Sequence, residues 1–146
     1  MMFRQIKKYY SIDKTERKIL NRTFLWLIYA FVLVRLIPLK WFNSVLGKFR
    51  KETEVNLNNK QLQLIHMVKK NIKRAKKRLP WEVKCFEEAI TAKKLLETLN
   101  IKSTLFLGIT RGNEKDLKAH AWLKSGDLFI SGESGYFNFV VVGFYS

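Results

Sequence analysis

The apolar residues change their period near residue 100, and that change sets the class of fold. Upstream, Leu62, Ile65, Val68, Ile72, Ala75 and Leu79 recur at spacings of three and four. Ala89, Ala92, Leu96 and Leu99 do the same. Such spacing lines one face of a helix. Downstream, Leu105, Leu107 and Ile109 alternate in STLFLGIT. In AHAWLK, alternation puts His120 and Trp122 on one face and Ala119, Ala121 and Leu123 on the other. SGD turns the chain into LFIS, and FNFVVVGFYS is a further strand. Helices followed by an antiparallel sheet make an α+β order. The 146 residues are enough for one domain with a real core.

Four stretches follow. Residues 1–49 form a basic and apolar helical part, 50–60 a polar loop, 61–79 a cationic amphipathic helix, and 81–146 the last helix and the sheet. Ser11 or Asp13 can cap a helix, since either side chain accepts a free first-turn amide. The start is not a signal peptide, because basic residues continue through Lys18 and no small-residue cleavage site follows. TFLWLIYAFVLV, residues 23–34, is the most apolar stretch; Arg35 ends it and Pro38 breaks the helix. Its uninterrupted run, 24–34, is shorter than the ~20 residues that span a bilayer. Three readings stay open for it: a buried core helix, peripheral membrane contact through residues 23–42 with Trp26, Tyr29 and Trp41 in the headgroup layer, or a true span. Asn58 or Asn59 caps the next helix, Pro80 ends it, and Asn100 stops the one after. RGNEKD, 111–116, is a loop between strands.

The charge is divided as sharply as the period. The net formal charge is +16, and all of it lies in the first part: residues 1–80 carry 20 basic and 4 acidic side chains, residues 81–146 eight of each. Lys69, Lys70, Lys73, Arg74, Lys76, Lys77 and Arg78 crowd one helix, the expected partner-binding face. A basic field attracts nucleic acid, anionic lipid or an acidic peptide alike. No nucleic-acid module is visible, so no specific nucleic acid is expected. One Cys excludes an internal disulfide and suits a reducing, cytoplasmic compartment. One Cys and two His make no zinc site, and neither a phosphate-binding loop nor a dinucleotide fingerprint is present, so neither metal nor cofactor is expected. Gly132, Gly135 and Gly143 are too loosely spaced for phosphate binding.

Chemistry is concentrated at Cys85, at the head of a helix, where free amides and the dipole stabilise an anion. The same amides suit the oxyanion formed when a thiolate attacks a carbonyl. A nucleophile needs a base. His66 falls mid-helix beside the apolar stripe, an edge-of-core or surface place, whereas His120 sits on a strand that the sheet can carry across the Cys helix. Glu133, beyond the hairpin, is placed to orient His120; Asp127 belongs to the turn. From residues alone, a lone Cys85 reads first as a small buried hydrophobe, with the nucleophile as the second reading.

LPW shortly before Cys85, the helix ending in LL, LNIKSTLFLGI, HAW at 120–122, ISGE after the hairpin, and LIYAFVLVRLIPL followed by Trp41 and LGK form one pattern. It resembles the transglutaminase-like B proteins of lasso peptide biosynthesis, the microcin-processing leader peptidases, and more closely their separate protease subunit. The resemblance covers nearly the whole chain. It implies a single papain-like or transglutaminase-like cysteine protease domain over 1–146, with Cys85 as nucleophile and His120 as base. The family's third member is an acid on the strand after the hairpin, usually Asp; here Glu133 is nearest. Trp81 and Trp122 are either cleft walls or core. The implied partners are a leader-binding recognition protein, the precursor peptide and an ATP-dependent lasso cyclase. Other classes stay open: a basic scaffold or nucleic-acid- or membrane-binding protein without chemistry, and a Cys–His acyltransferase or amidase.

Overall fold

The computed structural model describes residues 1–52, 54–113 and 116–146. Within them, α1 (Met2–Tyr10), α2 (Lys14–Leu36), α3 (Leu39–Phe42), α4 (Asn59–Lys76) and α5 (Cys85–Thr98) precede β1 (Thr104–Arg111), β2 (Leu117–Ser125), β3 (Leu128–Ser131) and β4 (Val140–Tyr145). Every strand pair is antiparallel, in the order β3-β2-β1-β4. The α+β order read from the change of period is the order observed.

Local chemistry explains most boundaries. Asp13, not Ser11, caps α2: its Oδ2 accepts the Thr15 amide at 3.0 Å. Ser11 instead closes α1. Pro38 has no N–H and restricts the residue before it, so α2 stops at Leu36. Asn58 and Gln61 form a reciprocal capping box that starts α4. That helix ends at Lys76, four residues ahead of Pro80, because Arg78 N–H turns back to Ala75 O. Asn100 takes a left-handed conformation, φ 56°, and closes α5. Ser125 pairs with Leu128, so Gly126 and Asp127 are the two-residue turn. In the loop 111–116, Gly112 N–H donates to Asp116 O. Glu114 and Lys115 of that loop, and Thr53 of the loop 50–60, lie outside the described residues.

The helices cover one face of the sheet. Ala89, Ile90, Ala92, Leu95 and Leu96 of α5 share a buried cluster with Leu105, Ala121, Leu123 and Ile130 of the strands. The opposite face carries aromatic rings: Phe106 stacks on Trp122 at 5.7 Å, Phe144 adjoins Phe106, Tyr136 adjoins Trp122, and Phe139 packs on His120. At the far end of α5, Lys93 is buried and donates to Ser103 O. Desolvation lowers its pKa, and Glu97 partly offsets this. Along the outer edge of β4, Lys48 and Arg50 bond to the backbone of Ser146 and Phe144. This pairing protects a sheet edge.

The apolar helix α2 is a core helix on one side only. Ile19, Leu20, Thr23, Leu27, Ala30 and Leu33 are buried. By length and composition it could cross a bilayer, yet a third of its apolar window is buried inside the fold. Its inner face therefore already has partners in α4 and α5.

Candidate active site

Cys85 is the first residue of α5, half-buried against the main core. Three elements clamp the turn that it opens. Phe86 packs on Phe42 of α3, ring centroids 6.1 Å apart. Glu88 pairs with Lys76 of α4. Glu87 is fully buried and its Oε1 accepts from Arg35 Nε of α2 at 2.6 Å. Arg35 also donates to Glu82 O, and Glu87 Oε2 reaches back to the Lys84 amide. Lys84, at the N-cap, makes no side-chain cap. The first-turn amides of α5 are thus left as donors for an anion.

His120 lies on β2, opposite Gly108 of β1. Because Ala121 and Leu123 face the helices, the His120 ring belongs to the aromatic side, 5.0 Å from Phe139 and 5.8 Å from Trp122 between centroids. Its Nε2 lies 2.8 Å from Gly132 O. A carbonyl can only accept, so Nε2 carries the proton and, in the neutral ring, Nδ1 keeps its lone pair. Gly132 makes this contact possible. Its φ is +72°, and a Cβ there would sit 2.4 Å from Ala121 O and 2.7 Å from Trp122 Cβ. Only glycine lets the backbone lie this close to β2.

Cys85 opens α5, which packs on β2, and His120 lies in the middle of that strand. The connection 99–103 turns α5 into β1, and Ser125 Oγ donates to Lys102 O, so the late part of β2 lies beside that connection. Cys85 is about 20 Å away along α5. His120 is about 16 Å away along β2. Among the described residues no hydrogen bond joins the two. Cys85 packs on the helix side, while the His120 ring rests in the aromatic layer.

The other expected residues are distributed as follows. Glu133, expected to accept the ring N–H, is exposed in the segment just after Gly132, and its carboxylate makes no bond among the described residues. The ring N–H goes instead to the preceding backbone carbonyl. Asp127 stands exposed in the hairpin turn, about 20 Å along the strand from His120. His66 is exposed on α4. Trp81 packs on Phe31 at 4.8 Å in a small cluster with Leu27, Ala75 and Val83. Trp122 is 3% exposed and backs His120. The cationic face is partly engaged within the fold. Lys70 and Arg74 share Glu16, Lys76 holds Glu88, and Lys69 Nζ donates to Phe129 O of the edge strand β3. The side chains of Lys73, Lys77 and Arg78 make no hydrogen bond or ion pair among the described residues. A groove of about 710 Å³ runs between α4 and β3, lined by His66, Lys69, Lys70, Lys73, Lys76, Lys77, Glu88 and Ile130.

Sequence reasoning missed three residues. Arg35 reads only as the end of an apolar run, yet it holds the head of α5. Glu87 has a local signal, an acid at the third helical position. Gly132 has none that points to a histidine, because its contribution is a backbone oxygen.

No curated protein and no solved structure matches the chain. The family model of the transglutaminase-like superfamily matches residues 31–142, from the last turns of α2 into β4. That span includes Cys85 on α5, His120 on β2 and the whole of β1, β2 and β3. Members of this superfamily are in general cysteine peptidases and transferases, and an α+β core with a cysteine at a helix head and a histidine on an antiparallel strand fits that chemistry. The chain belongs to the transglutaminase-like superfamily.

Proposed function

We propose that this protein is a cysteine peptidase that removes the leader from a lasso peptide precursor, working with a separate leader-binding protein and an ATP-dependent cyclase. The observation that carries the reading is the state of His120: its Nε2–H is held by Gly132 O, which leaves Nδ1 as the base. Nδ1 takes the Cys85 thiol proton, and the thiolate attacks the carbonyl at the leader–core junction. The Cys85 amide is one donor to the oxyanion. The imidazolium protonates the leaving amine, and an acyl-enzyme forms. Water, deprotonated by the same nitrogen, then releases the second product as a carboxylic acid. In the structure Cys85 packs with the helices and the His120 ring with the aromatic side of the sheet, so the proton transfer from Sγ to Nδ1 requires the two groups to approach each other when substrate binds. The sequence pattern of LPW, HAW and ISGE supports the leader and its partners as substrate and company.

The test is to incubate the protein with the precursor and leader-binding protein and read product masses. Leader and core, each with the mass of hydrolysis, are expected. An added amine found on the product would favour acyl transfer, the other chemistry of the superfamily; an unchanged precursor would overturn both.

The Gly132 carbonyl, rather than the Glu133 carboxylate, is proposed to orient His120. Glu133→Ala and Asp127→Ala should keep kcat/KM within about twofold. Gly132→Ala displaces the carbonyl and should lower it about tenfold or more, in protein that still folds by circular dichroism. A large loss for Glu133→Ala, recovered in Glu133→Asp, would give the role to the carboxylate.

The cations Lys73, Lys77 and Arg78, in the last turn of α4 and just beyond it, are proposed to meet an acidic patch on the leader-binding protein, the precursor or the cyclase. Lys73→Glu with Lys77→Glu should slow association about tenfold at low salt, with kcat unchanged, and the difference should shrink as salt rises. Equal rates across ionic strength would reduce this face to a solubility feature.

A further inference from the structure

Two surfaces in the first 42 residues are apolar, exposed and uncovered. On α2, Leu25, Ile28, Tyr29, Val32 and Leu36 all point outward, with Leu25 67% and Leu36 71% exposed. At 100° per residue they fall within an arc of about 100°, opposite the buried residues. They form a stripe about 16 Å long, continued beyond the helix by Leu39 and by Trp41, which is 73% exposed. The second surface is α1. This nine-residue helix buries no residue in the fold. Met2, Phe3, Ile6 and Tyr10 share one side, and Arg4, Lys7 and Lys8 take the others. The two surfaces are tied together: Tyr9 OH donates to Asn21 Oδ1, one turn before Leu25 on the same line of α2, and Arg17 donates to the carbonyls of Tyr10 and Ile12.

The charge around these surfaces has one sign. Residues 1–50 carry 11 basic side chains and two acidic ones, Asp13 and Glu16. Both acids are already used, Asp13 as the cap of α2 and Glu16 by Lys70 and Arg74. Lys14 and Lys18 lie on the line of the apolar stripe, and Lys40 adjoins Trp41. Outward apolar side chains, aromatic residues beside them and unopposed cations are the requirements of an interfacial helix on anionic lipid.

We propose that α1 and the outer face of α2 dock this protein on an anionic membrane surface, lying in the headgroup layer without crossing the bilayer. Crossing is opposed by the inner face of α2. It is packed on α4 and α5, and Arg35 at its end holds the buried Glu87. Withdrawing α2 into the hydrocarbon would strip the core and leave that carboxylate without its partner.

Flotation of the full chain with two vesicle populations tests the proposal: phosphatidylcholine alone, and phosphatidylcholine with about one-third phosphatidylglycerol. Wild type is expected to float with the anionic vesicles and remain below with the neutral ones, and to be released as salt rises. Leu25→Glu with Val32→Glu should weaken binding by at least about tenfold. Phe3→Glu with Ile6→Glu should do the same. All four positions are exposed, so these variants should keep the wild-type circular dichroism and thermal midpoint. Absence of wild-type binding overturns the proposal, as do equal binding to neutral vesicles and undiminished binding by folded stripe variants. Sedimentation of wild type as a dimer that the variants dissociate, without flotation, would also overturn it and make the stripe an interface between copies.

Discussion

Cys85→Ala is expected to abolish precursor cleavage, a fall of about 10⁴-fold or more, while leaving the fold intact. The side chain is half-buried at the edge of the core, so losing one sulfur should cost about 1 kcal/mol at most. The head of α5 does not depend on it, because Phe86, Glu87 and Glu88 each hold a different neighbouring element. Loss of activity in a protein with an unchanged unfolding curve would therefore report the chemistry of the sulfur. As Cys85 is the free thiol of the chain, iodoacetamide should inactivate wild type with one label per protein, and bound precursor should slow the labelling. Turnover by Cys85→Ala within tenfold of wild type would remove the nucleophile from the mechanism.

The second large effect is on stability. Arg35→Ala is expected to destabilise the protein by about 3 kcal/mol, because it leaves the Glu87 carboxylate buried without its cation. Arg35 is itself a third exposed, so water can reach its place, and the effect falls at the lower end of the range for buried pairs. A domain stabilised by ~5–15 kcal/mol would lose a large share. Urea denaturation should show the loss as a lower midpoint at unchanged slope. Arg35→Met with Glu87→Met should recover much of it, since both charges then leave together with little loss of volume. The double variant still lacks the contact from Glu87 to the Lys84 amide. It should therefore regain stability more fully than activity, because the turn that presents Cys85 is less tightly fixed. A stability change below about 0.5 kcal/mol for Arg35→Ala would show that water replaces the guanidinium without cost.

These two residues also mark how far local pattern carries. Asp13, Asn58, Pro38, Asn100 and the Gly126–Asp127 turn act on atoms a few positions away, so their chemistry is legible in a string of letters. The faces of β2 are legible too, because alternation survives the continuous register of β1 with β2. Arg35 and Glu87 are 52 positions apart, and no periodicity links them. Glu133 and Gly132 show the same limit within one residue step. A carboxylate has a letter, but a carbonyl oxygen is common to every residue. What selects Gly132 O is the approach of two backbones that tolerates no Cβ.

The sequence by itself determined the α+β class, the helix that Cys85 opens, the strand that carries His120, and the division between a basic first part and a neutral second. These follow from periodicity, capping and net charge, each summed over neighbours in the chain. Tertiary structure alone decided that the sheet turns the His120 ring to its aromatic face, that Gly132 holds it, and that three separate elements clamp the Cys85 turn. It also decided that α2, whose run 24–34 is apolar on every side, is half core and half open surface. Burial is a property of what packs against a residue, and an apolar side chain has the same letter whether a partner covers it or solvent does.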